Sequence, residues 1–153
     1  MEKEPNAQTT AIWVLLNVAQ KRVRETFEKE LRKNGLPPPA WYDVLRSLQL
    51  HPEGLRQNQL EKMNLFGQVN LSRNLKRMIE DGLVNQTRAQ EDGRGRILTL
   101  TEEGFTMQKR MWRVYGALMV SEIEDRVPAS IAPAFAKGLK ALVPDVDWPF
   151  ERP

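Results

Sequence analysis

Apolar residues recur at steps of three and four from the start of the chain. Ile12, Leu15, Leu16, Ala19, Val23, Phe27 and Leu31 fall on one stripe, which predicts an amphipathic helix over residues 10–34. Residues 1–9 are polar and read as a flexible arm. Gly35 stops the helix, and Pro37, Pro38 and Pro39 forbid its continuation. A second helix is predicted from Pro39, with Trp41, Val44, Leu45 and Leu48 on its apolar face and an end before Pro52. Two short helices follow, Arg56 to Met63 and about Gln68 to Asp81, joined by a tight turn over residues 64–67. The second carries Leu71, Leu75 and Met78 on its inner side, and Gly82 ends it. Beyond Gly82 the period changes to that of strands. Residues 83–88 and 96–101 are predicted to pair about a turn that holds Gly93 and Gly95. Thr101 then caps a long helix whose stripe is Met107, Met111, Val114, Leu118 and Ile123. A last helix lies between Val127 and Val143, with Ile131, Phe135, Leu139 and Leu142 on one face and Pro133 delaying its start or bending it. Residues 144–153 form a proline-flanked tail.

The predicted fold class is mainly α with a small β-hairpin. Two short helices with a tight turn, followed directly by a hairpin, make a winged helix-turn-helix, here over residues 37–101. It is flanked by the helix at 10–34 and the helices within 102–143.

The chemistry concentrates on the second short helix. From Phe66 through Ile79 there is no acidic residue, while Arg73, Lys76 and Arg77 lie among the hydrogen-bonding side chains Gln68, Asn70, Ser72 and Asn74. Asn70, Arg73, Asn74 and Arg77 are spaced to share one face, opposite Leu71, Leu75 and Met78. Arg and Asn match the edges of guanine and adenine in a major groove, and Lys76 and Arg77, further along, suit phosphates. A charged helical face is ordinarily just a solvated one; the preceding short helix and the following hairpin favour a DNA-reading helix. The hairpin adds Arg94 at its tip, between two glycines, with Arg88 and Arg96 on the strands. An arginine on a narrow tip suits the negative potential of a minor groove.

Composition sets limits on the rest. The 153 residues include no cysteine and one histidine, His51, which argues against disulfides, thiolate metal sites and cysteine redox sensing. Neither a cofactor nor a metal is expected. A formal charge of +3 is only mildly basic, so the placement of charge matters more than its sum. No apolar run spans a bilayer and the polar start is unlike a signal peptide, so a cytoplasmic protein without a membrane partner is expected. No phosphate-binding glycine motif and no triad accompany His51, so no enzyme is expected.

These residues resemble the MarR family of bacterial regulators. The similarity is most specific over residues 55–104: Leu55 to Leu60 at the start of the helix-turn-helix, Asn70-Leu71-Ser72-Arg73 with Lys76-Arg77 and Asp81-Gly82-Leu83-Val84, then Asp92-Gly93-Arg94 and Leu98-Thr99-Leu100-Thr101-Glu102-Glu103-Gly104. Gly35-Leu36-Pro37 with Trp41 to Leu45 is similar to one branch of the family. The chain departs from the pattern at Gly93, where many relatives carry a second basic residue, and at Lys76, where relatives often carry an acid. The resemblance implies a homodimer in which the first helix and the last two interlace, so that residues 10–34 and 102–143 are dimerisation helices. Two wings and two recognition helices then face a near-palindromic operator on double-stranded DNA, commonly as a repressor. It also implies a small effector between the dimerisation helices and the DNA-binding domain. Trp13, Trp41, Tyr42 and Trp112 fall on the helices that would line such a pocket, although large aromatics serve first as core and interface. An apolar or aromatic acid fits that setting, with His51 or an arginine for its carboxylate. The alternative is a winged helix that contacts protein and not DNA.

Overall fold

Asn6 opens the first helix. Its Oδ1 accepts the Thr9 backbone N–H at 2.8 Å, and α1 then runs Ala7–Lys33. The helix therefore begins three residues before the point where its apolar stripe suggests, because a capping side chain and not hydrophobicity sets a helix start. The computed structural model describes residues 3–63, 70–89 and 95–144. The turn at 64–67, the start of the second short helix at Gln68 and Val69, the wing tip with Arg94 and the tail from Asp145 lie outside them.

The second helix, α2 (Pro39–Leu50), starts on a proline whose missing N–H costs nothing at that position. The short α3 (Gln57–Met63) and α4 (Leu71–Glu80) follow. A pair of strands, β1 (Val84–Arg88) and β2 (Arg96–Leu100), pair antiparallel with Val84 opposite Leu100 and Arg88 opposite Arg96. Leu55 adds a single bridge on the other edge of β2, exchanging backbone hydrogen bonds with Leu98 at 3.0 and 2.8 Å. The long α5 (Glu102–Met119) passes into a π-helical turn over Val120–Glu124, and α6 spans Ala132–Leu142 with Pro133 in its first turn. This is the mainly helical fold with a two-stranded wing that the sequence predicts. No helix among the described residues is long and apolar enough to cross a membrane.

The chain divides into two units, Met1–Tyr115 and Gly116–Pro153. The first holds the core: Leu31, Leu45, Leu48, Leu60, Met78 and Leu98 are almost wholly shielded from solvent. Gly82 lets the chain leave α4. Its φ of 73° is open to glycine at no steric cost, and the Leu83 N–H returns to the Met78 carbonyl at 2.9 Å. Thr101 joins that exit to α5. Its hydroxyl donates to the Gly82 carbonyl at 2.6 Å and accepts the Gly104 N–H at 2.9 Å. Gly104 packs so close to the Leu83 carbonyl that no side chain fits there, which gives the Leu-Thr-x-x-Gly pattern a physical reason.

Two apolar stripes differ from expectation. On α1 only Phe27 and Leu31 are buried, while Ile12, Trp13, Val14, Leu15 and Val18 are half or more exposed. On α5 the buried line runs through Gln108, Met111, Tyr115 and Leu118, with Met107 and Val114 at its edges. Gln108 is missed by a reading of apolar residues because its amide is satisfied inside, donating to the Tyr42 hydroxyl at 3.4 Å. In the second unit Ile131, Phe135, Leu139 and Leu142 of α6 are exposed, as is Ile123 of the π-helical turn.

Candidate nucleic-acid interface

Burial of Leu71, Leu75 and Met78 against the core fixes the rotation of α4. Leu75 and Met78 are on the same side of the helix as Leu71, so Arg73, Lys76 and Arg77 are turned to solvent. Three cations are thus presented on one short helix, with Glu80 following at its end. Asn70 differs from the predicted pattern. It precedes the helix and adopts φ 68°, ψ 14°, a left-handed conformation that asparagine tolerates better than most residues. Its side chain is exposed but does not belong to the helical ladder.

The polar residues on the two flanks of α4 are held from within. On one flank the Gln57 amide of α3 donates to the Ser72 hydroxyl at 2.7 Å. On the other the Trp41 indole of α2 donates to Asn74 Oδ1 at 3.3 Å, and Asn74 is half-buried where the sequence pattern places it facing outward. A shallow cleft of about 300 Å³ lies between α4 and the wing, lined by Gln57, Ser72, Lys76 and Gln86 among others.

The wing strands add two cations. Arg88 and Arg96 are directly opposite each other and both exposed. Like charges facing across a strand pair are destabilising unless something anionic lies over them. Arg96 is steadied by the Gln86 side chain, to which it donates at 2.8 Å. Of the sequence-predicted DNA contacts, Gln68 and Arg94 lie outside the described residues. Ser72, Arg73, Asn74, Lys76 and Arg77 are brought together on α4, and Arg88 and Arg96 on the wing.

The residues considered for an effector do not converge in the same way. Tyr42 and Trp112 stack with centroids 6.3 Å apart, and Tyr115 stacks on Tyr42 at 4.2 Å with Phe27 edge-on to it. Trp41, one residue before Tyr42, points instead to Asn74. Trp13 is two-thirds exposed on α1. His51 ends α2, and its Nδ1 lies 2.8 Å from the Ser47 carbonyl, so that nitrogen carries the proton.

Asp43, in the run Trp41-Tyr42-Asp43-Val44-Leu45, was not legible as special. It is 9% exposed, and its Oδ2 is the one fully buried side-chain polar atom without a hydrogen-bond partner among the described residues. Burial pushes its carboxyl up to about 7. The nearby hydroxyls respond in the same direction. Tyr115 is raised by burial, then by the Asp43 charge, and Tyr42 by burial, offset in part by Gln108.

Residues 34–95 match the family model described as MarR family. No protein of curated function matches the sequence. The fold is shared with solved structures along nearly the whole chain. A MarR family transcriptional regulator from Streptomyces coelicolor, solved in complex with DNA, superimposes with a TM-score of 0.85 at 18% identity, covering 97% of this chain and 94% of that one. A mutant MarR from E. coli complexed with operator DNA gives 0.76 at 19% identity over 93% and 100%. CouR from Rhodococcus jostii RHA1, bound to p-coumaroyl-CoA, gives 0.75 at 21% identity over 94% and 99%.

Proposed function

We infer that this chain, a MarR family protein by the match of residues 34–95 and by its fold, is a transcriptional regulator that reads double-stranded DNA as a homodimer. One observation carries the reading: the buried inner face of α4 turns Arg73, Lys76 and Arg77 outward, next to the directly opposed, exposed pair Arg88 and Arg96 on the wing. Cations so placed suit a polyanion, and a helix followed by a wing suits a groove and its edge. That two of the matched structures hold DNA supports the assignment. The exposed apolar residues of α1 and of α6 each support self-association, since a lone soluble chain has little reason to leave such rows in water. Two-fold pairing gives a near-palindromic operator, and blocking of a promoter is the mode we propose. An effector is proposed as a small apolar or aromatic acid, with the Tyr42–Trp112 stack as its nearest aromatic surface; a matched relative bound to p-coumaroyl-CoA supports that class. The working compartment is the cytoplasm.

Fluorescence anisotropy on the duplex upstream of the chain's own gene, against scrambled DNA and at several salt concentrations, tests the reading. Tight, selective and salt-sensitive binding is expected; binding equal on both duplexes and insensitive to salt refutes it. Two substitutions sharpen the test. Arg73→Ala is expected to lose about 1–3 kcal/mol of discrimination at one base position, the size of a bidentate guanine contact. Uniform weakening on every sequence would make Arg73 a phosphate contact instead. Arg96→Gln is expected to weaken binding on all sequences alike and to flatten the dependence of log affinity on log salt by about one unit. An unchanged slope removes the wing strand from the interface.

A further inference from the structure

Asn74 is held in a way that limits what it can read. An asparagine that recognises adenine uses both halves of its amide: Oδ1 accepts from N6 and Nδ2 donates to N7. Here Trp41, 7% exposed on α2, donates its indole N–H to Asn74 Oδ1 at 3.3 Å. An indole nitrogen is a donor and never an acceptor, so the chemistry leaves one orientation of the amide. Nδ2 hydrogen-bonds nothing among the described residues, and it is absent from their sealed, unpartnered polar atoms, so it reaches solvent. Asn74 lies one residue after Arg73 and three before Arg77, on the flank where the exposed side of α4 begins.

We propose that Trp41 sets the orientation of the Asn74 amide, turning Oδ1 toward α2 so that position 74 meets DNA chiefly through its Nδ2 donor. This rests on the reading of α4 as the DNA-reading helix and deepens it. Two amide N–H groups fit an acceptor edge: guanine at O6 and N7, or thymine at O4. Cytosine offers its N4 amino group and is disfavoured. Adenine offers N7, but the second bond that would distinguish it needs Oδ1 turned to N6, and Trp41 turns Oδ1 toward α2 instead. Trp41 is thus a positioning residue. It touches no base, and it fixes which half of a base-reading side chain is free.

The test is selection of bound sequences from a library of randomised duplexes by the full-length protein, its Trp41→Phe variant and its Asn74→Asp variant. For the native protein one position is expected to take guanine or thymine and to exclude cytosine. Trp41→Phe keeps an aromatic ring and removes the donor, so Asn74 regains Oδ1; adenine at that position is expected to gain roughly tenfold, the size of a bidentate pair. Asn74→Asp keeps an acceptor for Trp41 and turns the outward donor into an acceptor. It is expected to bind the native operator at least about tenfold more weakly and to shift that position toward cytosine. Should Trp41→Phe not fold, the native selection still decides: adenine at the position that Asn74→Asp shifts would overturn the proposal. A native protein that selects a sequence, with Asn74→Asp selecting the same one, overturns the proposal and leaves DNA reading intact. A native protein that selects no sequence removes both.

Discussion

Glutamate at both Ile12 and Leu15 is expected to break the proposed dimer into a monomer that no longer holds the proposed operator tightly. Ile12 is 54% and Leu15 65% exposed in the single chain, so neither substitution removes a contact the protomer needs for its own core. In the proposed dimer the same positions lie on the stripe that meets the partner, where two unpaired carboxylates in each protomer face desolvation. The effect on DNA binding is larger than the effect on association alone. A dimer engages its second half-site as an intramolecular event, and linked engagement of two sites is worth about 10²–10⁴ over either alone. Operator affinity is therefore expected to fall by at least about 100-fold, with thermal stability measured at low protein concentration almost unchanged. Analytical ultracentrifugation should return a mass near the protomer's 17.7 kDa. A dimer that survives both charges, or a monomer with native affinity, would show that α1 is not the association surface.

The order and type of the elements were legible because each has a local cause. Pro39 opens α2, Gly82 closes α4, and Thr101 with Gly104 fixes where α5 leaves the wing. What was not legible depends on neighbours distant in sequence. The α1 stripe from Ile12 to Leu31 reads as one continuous face, but only its last turns meet the chain's own core. Period reports that a face is apolar, not which chain covers it. On α5 the buried Gln108 lies at a position that a search for apolar residues passes over, because its partner Tyr42 is 66 residues away. Spacing places Asn70, Arg73, Asn74 and Arg77 on one face of α4, and of these Arg73 and Arg77 are exposed on the helix, with Lys76 exposed beside them. The roles of Asn70 and Asn74 needed more than spacing. A left-handed backbone removes the first from the helix, and a tryptophan from α2 claims one half of the second. Trp41 itself, read from sequence as an aromatic suited to an effector pocket, hydrogen-bonds the helix proposed to read DNA.

Asp43→Asn is expected to make the protein more stable near and above neutral pH and, because the buried amide also lacks a partner, about 1–3 kcal/mol less stable near pH 4. The reason is the direction in which burial moves the carboxyl. An exposed aspartate ionises near 3.8, and in the fold Asp43 is pushed up to about 7. Between those values the folded protein holds a proton that the unfolded chain has released, so folding becomes less favourable as pH rises through that window. The contribution is fully present below about pH 4 and is lost by about pH 7. At 1.36 kcal/mol per unit, a rise of about three units corresponds to a loss of about 4 kcal/mol. Asparagine has nearly the same shape and does not titrate. It brings an amide that also needs a partner, and an unsatisfied buried polar group costs about 1–3 kcal/mol, so the net gain at pH 8 is expected to be about 1–3 kcal/mol. Urea unfolding of both proteins at one fixed protomer concentration gives the measurement, since self-association of the proposed kind makes stability depend on concentration. The stability difference between variant and native should rise with pH at close to 1.36 kcal/mol per unit between about 4 and 7 and level off above. A difference that stays flat across that window would mean that Asp43 is ionised in the fold with a partner of its own. A difference that falls with pH would mean that the partner holds its carboxyl below the ordinary value.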